Sequence, residues 1–120
     1  MNVSGLAARY SLIIAAGFFA TQAFAMDFVE AAPKQTKVLV DNEKVRVIRA
    51  TFKKGDKIPM HTHPDIVVYI IKGGKAKFTN ADGKVVDSKT KAGEAFFRPA
   101  VTHSHEHFGN SEAIVIELKK

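Results

Sequence analysis

Six apolar residues in a row, Ile66-Val67-Val68-Tyr69-Ile70-Ile71, constrain this chain more than any other stretch. The run is too short for a typical helix and rich in β-branched types, so it reads as a strand buried on both faces. Its surroundings are of the same kind. Val38 to Val40, Val45 to Lys53, Lys75 to Thr79, Lys84 to Ser88, Ala95 to Phe97 and Ala113 to Leu118 are short apolar or alternating runs. Turn residues punctuate them at Asp41-Asn42, Gly73-Gly74, Asp82-Gly83 and Ala92-Gly93. Past Lys37 no stretch has a helical period. Some eight strands at regular spacing predict an all-β fold, a single small β-barrel or two-sheet jelly roll.

Two details of register are legible. In Val45 to Lys53 the apolar face changes phase at Val47-Ile48, which predicts a bulge or a strand end that is apolar on both sides. Gly73-Gly74 between Ile66–Ile71 and Lys75–Thr79 predicts a hairpin, and Asp82-Gly83 predicts a second.

The first 25 residues read as an export signal, not as part of the fold. Arg9 is the only charge before Asp27, Leu12 to Ala20 is a short apolar core, and Ala23-Phe24-Ala25 has the small-x-small pattern of a cleavage site. The apolar run is shorter than the roughly 18 residues of a spanning helix, so no stable membrane insertion is expected after cleavage. Translation starting at Met26 is the other alternative. Residues 26–36, with Ala31-Ala32-Pro33 and no apolar repeat, read as a flexible lead-in, and 37–120 as the barrel domain. The leader predicts a periplasmic or secreted protein.

Charge and cysteine content narrow the chemistry. The formal charge is +6, and removing Arg9 leaves +5, spread over scattered lysines with no basic stripe interleaved with aromatics. No nucleic-acid partner is expected. The chain has no cysteine, which excludes disulfides, thiolate metal sites and a cysteine nucleophile.

All five histidines fall in two short stretches, His61 and His63 after Gly55 and Pro59, and His103, His105 and His107. Alternate residues of a strand share a face, so His61 and His63 can converge on one ligand. A rise near 3.3 Å per residue puts His103 and His105 about 7 Å apart along the chain, and His107 about 13 Å from His103. One metal then reaches His103 and, less readily, His105. The expected ligands are His61, His63 and His103, with His105 as a fourth ligand or a supporting donor. Their ion would be a divalent transition metal, Fe, Mn, Zn, Ni or Cu. Arg98 can contact an anionic ligand at the barrel mouth, although a surface pair with Glu94 is the plainer expectation. Tyr69, Phe78, Phe96 and Phe97 read as core.

Gly55 and, five intervening residues on, His61-Thr62-His63-Pro64, followed by an apolar strand ending in Gly73-Gly74, resemble the first motif of the cupin superfamily. Gly93, Pro99 and His103 resemble the second. The motifs span Gly55 to His107, and the strand pattern extends the resemblance from Lys37 to Leu118. It implies a small single-domain cupin barrel, or double-stranded β-helix, and a homodimer. There are departures. The first motif usually carries a glutamate where this chain has Val67 or Val68, Asp65 is too close to His63 to replace it, Val101 stands for a glycine, and His103 comes one residue early. The resemblance implies a metal-dependent enzyme of oxygenase, isomerase or lyase type acting on a small organic molecule. Loss of the carboxylate shifts weight to a non-catalytic module that binds a metal or small ligand. A structural barrel with relict histidines is the third reading.

Overall fold

The computed structural model describes residues 26–120, so the leader expected over 1–25 lies outside the described residues. Ten strands and one short helix follow in the order β1 Met26–Asp27, α1 Phe28–Ala31, β2 Thr36–Asp41, β3 Val45–Phe52, β4 Lys57–His63, β5 Ile66–Lys72, β6 Lys75–Asn80, β7 Val85–Lys89, β8 Ala95–Arg98, β9 Val101–His107 and β10 Ser111–Leu118. They form two five-stranded sheets in the orders β1-β4-β9-β6-β7 and β2-β3-β10-β5-β8. Apart from the parallel β1–β4 pair, all ladders are antiparallel. The all-β jelly roll expected from the strand pattern is the fold observed.

Alternation along each strand decides what the barrel encloses. Ile48, Ala50 and Phe52 of β3, Ile66, Val68 and Ile70 of β5, and Ala113 and Val115 of β10 are buried and line one wall. Ile58, His61 and His63 of β4, with His103, His105 and His107 of β9, are buried on the facing wall. An imidazole-rich wall therefore packs against an aliphatic one.

Three expectations change in the structure. First, Ile66–Ile71 does not lead into a hairpin: β5 belongs to one sheet and β6 to the other. Neither Gly73 nor Gly74 has a positive φ, as a two-residue hairpin turn would demand. They serve close approach instead. A Cβ on Gly73 would stand 2.1 Å from the carbonyl oxygen of Thr90, and Thr90 N donates to the carbonyl of Gly74 at 3.0 Å. The expected hairpin at Asp82-Gly83 does form, with Gly83 at φ 89° between β6 and β7.

Second, β5 is buried on one face only. Ile66, Val68 and Ile70 point inward, whereas Tyr69 is 46% and Ile71 37% exposed, and Phe97, paired with Val67, is 58% exposed. Tyr69 and Phe97 are thus not core, because they occupy the outward phase of their strands.

Third, 26–36 is not a flexible lead-in. Met26 and Asp27 pair with His61 and Thr62, and Phe28, Ala31 and Ala32 are buried. Asp27 caps the single turn of α1, accepting from Val29 N at 3.0 Å, while Glu30 accepts from Asp27 N at 3.2 Å. That reciprocal pair satisfies donors a four-residue helix leaves open, and the burial of Phe28 supplies what so short a helix lacks in intrinsic stability. The phase change at Val47-Ile48 is matched by a register shift in β2, where Val38 opposes Ile48 and Val40 opposes Val47, leaving Leu39 as the extra residue.

Candidate metal centre

A bulge in β4 sets up the site. Ile58 pairs with His105 and His61 with His103, so three steps on β4 match two on β9. Without the extra residue Ile58 and His61 would face opposite ways; with it both point inward. Pro59 sits inside the irregular stretch, where its lack of an N–H is tolerated. The carbonyl of Pro59 also accepts from His61 Nδ1 at 2.8 Å, so the lone pair of His61 lies on Nε2.

Around His61 the imidazoles converge. Nitrogens of His61, His103 and His105 all lie within 4.8 Å of one another, and all three residues are buried. His63 adjoins this triad, its Nε2 3.1 Å from His61 Nε2. His63 Nδ1 faces Glu117 Oε2 at 3.2 Å, where only a donor is useful. Both Nε2 atoms then present lone pairs to each other, an arrangement that needs a proton or a cation between them. Two imidazoles at about 2.0–2.1 Å from one metal have nitrogens about 3.0–3.4 Å apart, which matches that separation. His103 gives a second test of fit: neither Nδ1 nor Nε2 has a hydrogen-bond partner, and both are buried. Leaving a buried polar atom unpaired costs roughly 1–3 kcal/mol, and a bound ion would relieve the nitrogen that carries the lone pair. The donor set is all imidazole, chemistry suited to Zn, Cu, Ni or Fe and not to Mg or Ca.

The expected ligands are thus brought together, with one difference in grouping. His105 groups with His61 and His103, their nitrogens all within 4.8 Å of one another, while His63 stands beside His61, Nε2 to Nε2 at 3.1 Å, and faces Glu117 through its other nitrogen. His107 stands outside the triad, stacked on Phe52 at 3.9 Å, and its Nε2 holds His105 Nδ1 at 2.7 Å. Asp65 is engaged elsewhere, accepting from Ala100 N at 2.9 Å. Phe28 closes one side of the cluster, its ring 5.0 Å from His61 and 4.8 Å from His63.

Glu117 is the residue that sequence reasoning passed over. It follows Ala113 and Val115 on the inward face of β10 and is 4% exposed. Arg46 Nε donates to Glu117 Oε1 at 2.7 Å, and the same guanidinium grips both oxygens of Asp27. A chain of contacts therefore runs His61, His63, Glu117, Arg46, Asp27. Burial alone would raise the Glu117 carboxyl, but hydrogen bonds from His63 and Arg46 outweigh it and hold it below its ordinary value. Asp27 is likewise lowered, by Arg46 against the effect of burial. The signal of Glu117 in the sequence was the alternation Ala113, Val115, Glu117, a charge in phase with a buried face.

Burial disfavours protonation of the imidazoles. It takes His61 down to about 4 and His103 to about 3, the neighbouring histidines adding repulsion, while His107 falls to about 4 by burial. His105 is lowered further, first by burial and then by His107 and the others. His61, His103 and His105 are therefore neutral near pH 7, the form in which imidazole binds metal.

No protein-family model and no curated protein matches this chain. Solved structures do. A cupin domain from Bordetella pertussis Tohama I is similar with a TM-score of 0.63 at 26% identity, covering 71% of this chain and 92% of that one. An RmlC-like cupin with a double-stranded β-helix fold from Methanocaldococcus jannaschii gives 0.57 at 22% identity, over 70% and 78% of the two chains. A cupin superfamily protein from Desulfitobacterium hafniense DCB-2 gives 0.56 at 20%, over 71% and 76%. The class that fold and site define is a cupin barrel, a double-stranded β-helix with a buried histidine triad able to hold a metal. The neighbours support placing the chain in the cupin superfamily.

Proposed function

We propose that this chain is an exported cupin that holds one divalent transition metal through His61, His103 and His105, with His63 as a further ligand or as the link to Glu117. The observation that carries the reading is His103, whose two buried nitrogens lack a hydrogen-bond partner while one of them lies within 4.8 Å of nitrogens of His61 and His105. The metal would supply Lewis acidity or redox chemistry for a small organic molecule in the barrel. Glu117 orients His63, and His107 orients His105. Phe28 and Phe52 keep water from the imidazoles on their sides. Elemental analysis of protein recovered from the cell envelope, compared with a His61→Ala, His103→Ala double variant, is the test. Stoichiometric metal in the first and none in the second supports the proposal; equal content removes it.

A non-catalytic binding module is the second reading, and one observation favours it. Among the described residues the metal-competent group contains no carboxylate, and Glu117, which adjoins it through His63, is already bound by Arg46. Export rests on the pattern of residues 1–25 and is checked by intact mass, with a chain starting at or near Met26 expected. A homodimer is part of the proposal. Tyr69, Ile71 and Phe97 form an exposed apolar patch on the outer face of β5 and β8, of the kind that a second copy covers.

A further inference from the structure

Arg98 pairs with Ile66, and Phe96 with Val68, across the β8–β5 ladder. Ile66 and Val68 are buried inward residues, so Arg98 and Phe96 share the inward face. The guanidinium lies 5.4 Å from the ring centre of Phe78 and 5.5 Å from that of Phe96. It has no anion. Among the described residues no carboxylate lies within ion-pair distance of Arg98, and Glu94, the expected partner, accepts instead from Lys91 N. Asp87 and Glu94 border the outer groove beside Arg98 without pairing to it. Burial consequently pulls the guanidinium below its ordinary value, with nothing to offset the effect.

A half-buried cation without a counter-ion is a costly arrangement, and the surrounding space shows what would relieve it. Arg98 stands where an interior cavity of about 110 Å³ meets the outer groove. His103 and other histidines of the cluster lie on the same cavity wall, Val68, Ile70, Phe78 and Phe96 give it apolar surface, and its one carboxylate, Glu112, is paired with Arg49. The wall's other cation, Lys72, is exposed. A planar guanidinium matches a carboxylate with two parallel hydrogen bonds, and flanking rings suit an apolar body. A single guanidinium among apolar side chains does not offer the many donors that a phosphate needs.

We infer that the cavity takes a small organic carboxylate, its carboxylate group held by Arg98 and its apolar body against Phe78, Phe96 and Val68. This names the ligand class of the site proposed above and rests on reading that cavity as the ligand site. The grip itself needs no metal. Benzoate and butyrate are the probes, with benzamide, butyramide and inorganic phosphate as controls, measured by calorimetry and thermal shift on metal-free and metal-loaded full-length mature protein.

At least one carboxylate should bind wild type in both forms, its amide at least tenfold more weakly. Arg98→Gln should weaken the carboxylate at least tenfold with metal content unchanged, Arg98→Lys should restore part of it, and Lys72→Gln should leave it intact. Equal binding by wild type and Arg98→Gln overturns the inference, as does no binding of either carboxylate, an amide that binds as well, or a preference for phosphate. Carboxylate binding that requires metal and ignores Arg98 also overturns it while leaving the metal proposal standing. Arg98-dependent binding in a protein that never holds metal does the reverse.

Discussion

Glu117 Oε2 lies 3.2 Å from His63 Nδ1 and aims the other nitrogen of that ring at His61. A carboxylate that orients an imidazole raises its basicity as a ligand and holds its tautomer. Glu117→Gln should therefore keep the fold and lower metal affinity about 10- to 100-fold, read by competition with a chromophoric chelator. Affinity unchanged by the substitution would place His63 outside the metal site.

Alanine substitutions should separate the ligands His61 and His103 from the supporting His107. His61→Ala and His103→Ala should each abolish stoichiometric metal, whereas His107→Ala should retain most of it, because His107 only supports His105. Elemental analysis of the purified variants gives the answer. Full loss on His107→Ala would make it a ligand after all.

The metal-free protein should lose stability in mild acid. In the unfolded chain histidine takes up a proton near pH 6.5, but His61 and His107 do so only near 4 in the fold. Between those values the unfolded state binds more protons, so stability is fully present above about 6.5 and falls as pH drops toward 4. One such group contributes on the order of 3 kcal/mol across the whole window, shared among coupled neighbours. Urea midpoints of metal-free protein at pH 7.5, 6 and 5 should decline in that order. A flat profile would contradict the burial of these rings as neutral groups.

Phe28 is 2% exposed although it sits three residues from the expected cleavage site. Phe28→Ala should cost about 3–5 kcal/mol, the range for a buried phenylalanine, and should open the His61–His63 side of the cluster to solvent. Chemical denaturation measures the first and histidine exchange by NMR the second. A change under 1 kcal/mol would return 26–36 to the status of a loose lead.

The outer face of β5 and β8 carries the oligomer prediction. Light scattering of the mature chain at micromolar concentration should give the mass of a dimer, and Tyr69→Lys with Phe97→Lys should give one chain with metal content kept. A monomeric wild type would leave that apolar face without its proposed cover.

Much of this architecture was legible because strands write a two-residue period. Ile66–Ile71, Lys75–Thr79 and the two histidine stretches declared their extended form and the shared face of alternate histidines. What stayed hidden depended on partners distant in sequence. Gly73-Gly74 looks like a turn, and only the nearby backbone of Thr90 shows that it is a crossing between sheets. The bulge between Ile58 and His61 exists only relative to β9. A single-turn helix has too few residues to display a period, though Asp27 and Glu30, three apart, were a capping pair in plain view. Glu117 was masked by its own strand, one acid in phase with Ala113 and Val115.

The crossing at His61 and His103 also has a temporal side. The two residues face each other only after β4 and β9 have found their register, a late step for strands so far apart in the chain. Ion uptake in a refolding experiment would then act as a clock for the closing of that ladder. Before it closes, His103, His105 and His107 are three imidazoles close in sequence on an open chain, and any metal captured there would have to be surrendered or carried along as the barrel shuts.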